Sequence, residues 1–407
     1  MKSYWPSIGP GIALAATGIG AGDMVSTAVA GQKYGHTILW GAMAGVLIKG
    51  VITEGLARWQ AGSGETLLEG WTRHLHRSFG FAFSIFLLVW SFTVGAALMA
   101  ATGMAASAIF PTLSIPTWGV IHSLSAFILI FIGRYVLFER LMKGFVSLLF
   151  GIVLLCGTLL IPDITPLLKG LFVPQLPEGS IQLLLGVIGG IGGSLTVLNY
   201  GYWIREKGWK GKELLGRIRS DLFLAYLLTG LFGTAIMSIA AELQMDISKG
   251  NELVLALART IDVQLGEWVG TLFRVAFWGA VFSSMLGVWQ GVPYLFADTY
   301  QLLIRGRKPG KLPSNNDPSY KGGLLFLTLI PLPMLWLEEP VWTVVLYTVL
   351  GGLFMPVMIG SLLILNQKQI LPKTYRNGWK SVLFLSIGLA IFLYLGGHEL
   401  LELFGNE

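Results

Sequence analysis

The sequence predicts an all-α membrane protein of about eleven spans, with the first and sixth spans broken. Three observations carry this. The 407 residues are 54% hydrophobic and 12% charged, with a mean hydropathy of +0.69; an ordinary soluble domain carries roughly 25% charge. Apolar runs near the ~20 residues that a bilayer requires recur along the whole chain. The basic residues fall almost entirely in every second gap between those runs.

The predicted spans are residues 8–34, 37–60, 80–110, 116–134, 142–161, 180–204, 219–243, 266–300, 322–337, 340–366 and 380–403. Arg58, Arg73 and Arg77 follow the second span, and Arg134, Arg140 and Lys143 the fourth. Arg205, Lys207, Lys210, Lys212, Arg217 and Arg219 follow the sixth. Arg305, Arg307, Lys308, Lys311 and Lys321 follow the eighth, and Lys368, Lys373, Arg376 and Lys380 the tenth. The alternate gaps hold only Lys33, Lys169, Lys249 and Arg259. Cytoplasmic loops collect Lys and Arg, so the N-terminus is expected in the cytoplasm and the C-terminus outside. A missed or extra span would scramble this alternation. The setting expected is a bacterial-type plasma membrane.

The same distribution disposes of nucleic acid as a partner: the net charge of +6 follows membrane sidedness instead. The opening "MKSYWPSIGPG" does not read as a cleavable leader. No gap is long enough for a soluble domain, so residues 1–407 are expected to form one transmembrane domain. There is no nucleotide-binding glycine loop and no zinc-spaced Cys/His set, so neither an enzyme nor a cofactor is expected. Cys156, the single cysteine, sits in an apolar run and behaves as a small hydrophobe. Trp5, Trp40, Trp71, Trp203, Trp209 and Trp379 fall near span ends, as interfacial belts do.

The two breaks carry the functional reading. The first span contains "TGIGAGDMVS", with Gly18, Gly20 and Gly22 ahead of Asp23. The sixth reads "LLLGVIGGIGGSLTVLNYGYW", interrupted at Gly189, Gly190, Gly192 and Gly193. Interrupted spans five apart, at matching places in two halves, point to inverted repeats whose broken helices bind a substrate at mid-membrane. Non-helical backbone is tolerated there because it lines a cavity. The competing reading is that the glycines only let helices pack closely.

Asp23 would cost about 2.5–3.5 kcal/mol at the centre of a membrane helix, so it is a functional candidate by default. It could also be a simple N-cap of the second half-helix. Ser194, Thr196 and Asn199 on the sixth span are hard oxygen donors, suited to Mg²⁺ or a similar ion.

The stretch "GPGIALAATGIGAGDMVSTAVAGQKYGHTILW" resembles the first span of the Nramp family of divalent-metal transporters. The likeness continues through "ERLMKG" before the fifth span, Ser283 and Ser284 in the eighth, and "PVMIGSLLILNQK" in the tenth. It covers nearly the whole chain. It implies a leucine-transporter-type fold: a 5+5 inverted repeat with helices 1 and 6 broken and a final helix added. Repeat one would cover about 8–161, repeat two about 180–366, and the extra helix about 380–403.

The sequence departs from the family at the metal site. The family's first-helix Asp-Pro-Gly-Asn aligns with Gly20, Ala21, Gly22 and Asp23, so the acid has moved from first place to last. The sixth-helix Met aligns with Thr196, and its neighbouring Pro and His with Val197 and Leu198. Losing a thioether removes selectivity for soft metals. The third helix, "LLVWSFTVGAALMAATGMAAS", has no titratable group to serve proton transfer. The pattern is closer to the Nramp-related branch that carries Mg²⁺ without proton coupling.

The function expected is therefore a secondary transporter that moves a divalent cation, Mg²⁺ or Mn²⁺, by alternating access through the lipid bilayer. Its contacts are expected from Asp23, from backbone oxygens around Thr17, Gly20 and Gly193, and from Ser194, Thr196 and Asn199. A small organic solute on the same fold is the alternative, and a non-transporting scaffold a third. Nothing in the sequence marks an oligomeric state.

Lys49, in the middle of the second span, and Glu54 are candidates for coupling or gating. They are poorly spaced to pair with each other. Lys49 could pair with Asp23, act as an internal cation, or snorkel to the interface. Asp221 and Asp298 are expected in solvated positions at cytoplasmic ends, Arg274 at a cavity or headgroup, and His122 at the interface.

Overall fold

The structure is a computed structural model that describes residues 9–133, 135–161, 163–209, 214–242, 253–307, 312–336 and 340–405. Arg134, Lys210, Lys212, Lys249, Lys308, Lys311 and Trp5, used above for sidedness and belts, lie outside the described residues. The described residues form helices and no strand.

The first span is a bent pair, α1 (Pro10–Gly18) and α2 (Ala21–Tyr34), with 51° between them. Pro10 opens α1, where its missing N–H costs nothing. Then come α3 (Leu39–Ser63), a short α4 (Leu67–Gly70), α5 (Arg77–Ile109), α6 (Ile115–Ile132) and α7 (Tyr135–Leu160). After a peripheral α8 (Thr165–Phe172), the sixth span runs as α9 (Ile181–Gly190), an irregular turn, a 3₁₀ segment Leu195–Leu198 and α10 (Asn199–Glu206). The second half continues with α11 (Leu214–Glu242), α12 (Leu253–Leu265), α13 (Glu267–Leu303), α14 (Pro318–Leu329) and α15 (Pro340–Leu365). α16 (Trp379–Gly405) is added last.

Among the described residues, nine helices are long and apolar enough to cross a membrane, or ten with the bent pair. The expected ninth span is the exception. α14 has 12 residues, about 18 Å of helix against the ~30 Å of a hydrocarbon core. Pro331 and Pro333 stop it: Pro lacks the N–H that an α-helix needs, and the chain goes on as a 3₁₀ turn, Leu332–Trp336. The short helices α8 and α12 were not foreseen.

Helix contacts are exchanged in pairs when the first five spans are swapped with the second five. α2 packs on α11 and α3 on α9; α5 packs on α15 and α7 on α13; α5 packs on α6 and α13 on α14; α1 packs on α7 and α9 on α15. This exchange is what an inverted repeat requires. Burial sorts the helices into an inner and an outer set. The most apolar window of the sixth span is 78% buried and that of α13 72%, against 22% for α6 and 28% for α16. The outer helices turn Ile128, Phe131, Ile132 and Leu393 outwards, where lipid satisfies them.

At the centre the two breaks touch, backbone to backbone. A Cβ added to Gly18 would lie 2.7 Å from the Gly192 carbonyl carbon and 2.8 Å from the Gly193 nitrogen. Gly192 and Gly193 both have positive φ, 75° and 79°, a region that L side chains rarely adopt. Gly18→Ala is therefore expected to destabilise the fold by about 1–3 kcal/mol, because neither backbone can yield. Gly144→Ala in α7, where an added Cβ meets nothing within 4 Å, should raise stability by about 0.5–1 kcal/mol. Thermal unfolding of the purified variants in detergent checks both signs.

Candidate functional site

Each break leaves helix ends whose backbone groups need partners. The C-terminal end of α1 is closed by α13: Ser283 Oγ donates to the Ala16 carbonyl at 3.1 Å and Ser284 Oγ to the Thr17 carbonyl at 2.7 Å. The C-terminal end of α9 is closed by a charge. Lys49 Nζ donates to the carbonyls of Gly189 at 2.9 Å, Ile191 at 3.2 Å and Gly193. Lys49 has 0% exposure. A cation at a helix C-terminus is favoured by the macrodipole, and three carbonyls use all three ammonium protons. Snorkelling is thus overturned. The ammonium bonds backbone oxygens rather than the Asp23 carboxylate.

Asp23 is 2% exposed and lies in the first turn of α2. The N-cap of that helix is Gly20, with no side-chain cap, so the simple-cap reading fails. The Asp23 carboxylate reaches the other break and accepts the Gly192 N–H at 3.2 Å. Opposite charges from two helices therefore grip one turn: Asp23 its N–H, Lys49 its carbonyls.

The remaining predicted contacts divide. Thr17 and Gly20 have carbonyls already engaged, by Ser284 and by the Met24 N–H at 3.0 Å, and the Thr17 hydroxyl donates to Ala13. Each of these two carbonyls thus accepts one hydrogen bond within the protein, from α13 and from the start of α2. Gly193 offers its carbonyl to Lys49 instead. Ser194 Oγ, Thr196 Oγ1 and both polar atoms of the Asn199 amide are buried without hydrogen-bond partners. Such groups cost about 1–3 kcal/mol each unless water or a ligand meets them. Trp90 Nε1 and Ser91 Oγ of α5 are in the same condition. Ser194 lies against Gly351 of α15 near the Trp90 indole, Asn199 against Gly291 of α13, and Thr196 folds back on Gly193. They line different sides of the unwound stretch and do not form one tight shell. Among the described residues no group of three or more His, Cys, Asp or Glu could hold a metal.

Glu54 is not part of this site. It pairs with Arg58 at 3.1 Å and with Arg219 at 3.0 Å, tying α3 to α11. Sequence reasoning missed Tyr347 and Thr348 of α15, which pack on Gly22, with the Tyr347 hydroxyl bonded to the Gly22 backbone. It also missed Tyr226 of α11, which contacts Gly192 and bonds Thr53 at 2.6 Å. Their signal was available: hydroxyl side chains inside apolar spans.

The end of the bundle that carries the basic loops holds a set of buried acids. Asp221, 1% exposed, accepts from Gly9 N at 3.2 Å, Gly11 N at 2.6 Å and Tyr200 Oη at 3.0 Å. It caps α1 from α11, where an anion suits the positive helix end. Glu139 bonds Lys143 and Lys207 at 2.6 Å. Asp298 and Glu69, both with 0% exposure, share Arg307 at 2.5 and 2.9 Å. Burial acts against the Arg307 charge, but the two carboxylates outweigh it and hold the guanidinium above its ordinary range.

The solvated positions expected for Asp221 and Asp298 are thus wrong; helix ends and a guanidinium compensate their burial. Arg274 pairs with Asp262 at 2.8 Å rather than facing a headgroup. His122 is buried, accepting from the Trp278 indole at 2.9 Å and bonding the Trp118 carbonyl at 2.7 Å. Trp71, Trp203 and Trp209 are buried in the core, and only Trp379 of the described belt candidates is largely exposed.

Comparison with known proteins decides the lineage. The family model "Nramp: Natural resistance-associated macrophage protein-like" matches residues 11–401. The chain belongs to the Nramp family. It is 24% identical over 285 residues to the divalent metal cation transporter MntH of Chromohalobacter salexigens, covering 64% of this chain and 63% of that protein. It is 23% identical over 239 residues to the uncharacterized membrane protein YcsG of Bacillus subtilis, covering 58% of this chain and 54% of that one. The matched region is thus less than two thirds of either relative. A mutant of the Eremococcus coleocola manganese transporter superimposes with a TM-score of 0.77 at 16% identity, over 97% of this chain and 87% of that one. This likeness carries the leucine-transporter-type fold.

Removing Arg307 from this Nramp chain takes the shared cation from two fully buried carboxylates and leaves them only the Tyr202 hydroxyl and the Thr66 N–H. Arg307→Ala should lower stability by about 3–5 kcal/mol, whereas Arg219→Ala, whose side chain is 60% exposed, should cost about 1 kcal/mol or less. Thermal unfolding of the two variants side by side tests the contrast.

Proposed function

We propose that this chain is a secondary transporter that carries a divalent metal cation, Mg²⁺ or Mn²⁺, across the membrane by alternating access. The observation that carries it is the meeting of the two breaks: one buried carboxylate, Asp23, bridges them, and unpartnered buried oxygens at Ser194, Thr196 and Asn199 follow directly along the chain. One carboxylate with neutral oxygens is a hard, sparse donor set. It suits an ion that keeps part of its water, as Mg²⁺ does, better than a soft metal. The relatives named for divalent cation and manganese transport support a metal rather than a small organic solute.

In this reading Asp23 supplies the charge, and the hydroxyls and amide take up the ion's hydration shell. The buried ion pairs at the basic-loop end hold that side shut while the ion is bound. That end is the cytoplasmic one, with the N-terminus inside and the C-terminus outside. Residues 1–407 act as one transport domain, with repeats about 8–161 and 180–366 and an added helix about 380–403. α5 has no titratable side chain after Arg77, so transport is not proton-coupled through the third span.

Proteoliposomes containing the purified protein should take up Mg²⁺ or Mn²⁺. Asp23→Ala should reduce that flux roughly tenfold or more, the equivalent of losing a charged contact of about 1.5–3 kcal/mol. Absence of flux for every divalent ion in the parent protein would overturn the proposal. Unchanged flux in the variant would remove Asp23 from the site.

A further inference from the structure

The Lys49 ammonium sits where an inorganic cation could sit. Its three partners, the carbonyls of Gly189, Ile191 and Gly193, are the freed oxygens of one unwound stretch, and they converge on one point. The Asp23 carboxylate is bound to the intervening Gly192 N–H, so an anion borders the same turn. Converging carbonyls beside a carboxylate form a site for a hard monovalent cation. The Lys49 stem enters from α3 and ends in that site with no exposed surface.

We propose that Gly189, Ile191 and Gly193 form an alkali-cation subsite that Lys49 fills as a tethered cation, so the protein needs no free sodium or potassium ion to hold its sixth span open. The ammonium supplies the positive charge that balances Asp23 and supplies the three donors that the carbonyls require. Ser283 and Ser284 do the corresponding work at the first break with neutral hydroxyls, so that break needs no cation. The subsite lies beside the proposed transport site and rests on that reading only for its place in the cycle.

Lys49→Met tests it, because methionine is an unbranched apolar chain as long as the lysine stem, with sulfur in place of Cδ, and carries no ammonium. The parent and the variant are purified, and their thermal unfolding is followed in detergent in equal concentrations of choline, lithium, sodium and potassium chloride. The parent should be indifferent to the cation. Lys49→Met should be less stable than the parent in choline. It should regain stability, by several degrees and saturably, in one alkali salt above the others. Lys49→Ala, with more room, should show the same ion dependence. Lys49→Arg, which keeps a charge, should not.

Rescue of either truncated variant by an alkali ion supports the subsite. Equal stability of both in all four salts, or failure of both to fold in every salt, overturns it and leaves Lys49 a helix cap that no ion replaces. Saturable stabilisation of the parent by an alkali ion also overturns it. No divalent metal enters these measurements, so their outcome is independent of whether the protein transports one.

Discussion

The Gly192–Gly193 turn is the constraint on which the rest of the structure depends. It has to be non-helical, because both residues are left-handed, and it has to exist at a depth where no bulk water satisfies backbone groups. Two polar side chains from two other helices meet that requirement, Asp23 at the N–H and Lys49 at the carbonyls. An isolated charge at this depth is costly. Here each is matched to the partial charge of an open helix end and to an opposite charge on the same turn. The first break then closes against the second at Gly18, where no side chain could fit.

The asymmetry between the two breaks separates structure from function. Helix contacts are exchanged between the halves, as an inverted repeat demands. The chemistry is not. At the first break, α13 hydroxyls satisfy the carbonyls, and Asp23 is sent across to the other half. At the second, an ammonium satisfies the carbonyls, and three polar side chains further along the chain are left without protein partners. Unpartnered polar side chains therefore gather on the sixth span, and the first span sends its carboxyl group across to the Gly192 N–H.

A second level of order lies at the end that carries the basic loops. Asp221, Glu139, Glu69 and Asp298 come from different helices; Asp221 bonds the start of α1, Glu139 bonds Lys207 just after α10, and Glu69 and Asp298 share Arg307 just after α13. These pairs are buried, so partner loss costs far more than at an exposed pair. They connect α1, α10, α11 and α13, the same elements that form the centre.

The sequence alone determined the fold class, the two breaks and the candidate acid. These are written in composition and local pattern: apolar length sets the spans, glycine clusters set the breaks, and a carboxylate in an apolar run stands out. The short ninth helix was also legible in Pro331 and Pro333, but apolar length masked it. Tertiary structure alone decided partners. Lys49 reads as a misplaced charge until the sixth-span break brings three carbonyls to it; Glu54 reads as a coupling or gating candidate until Arg219 arrives from α11; and Asp221 reads as solvated until α1 starts on it. The physical reason is that a buried polar group is defined by what compensates it, and in this chain the backbone groups that compensate Asp23, Lys49 and Asp221 lie 140 or more residues away in sequence.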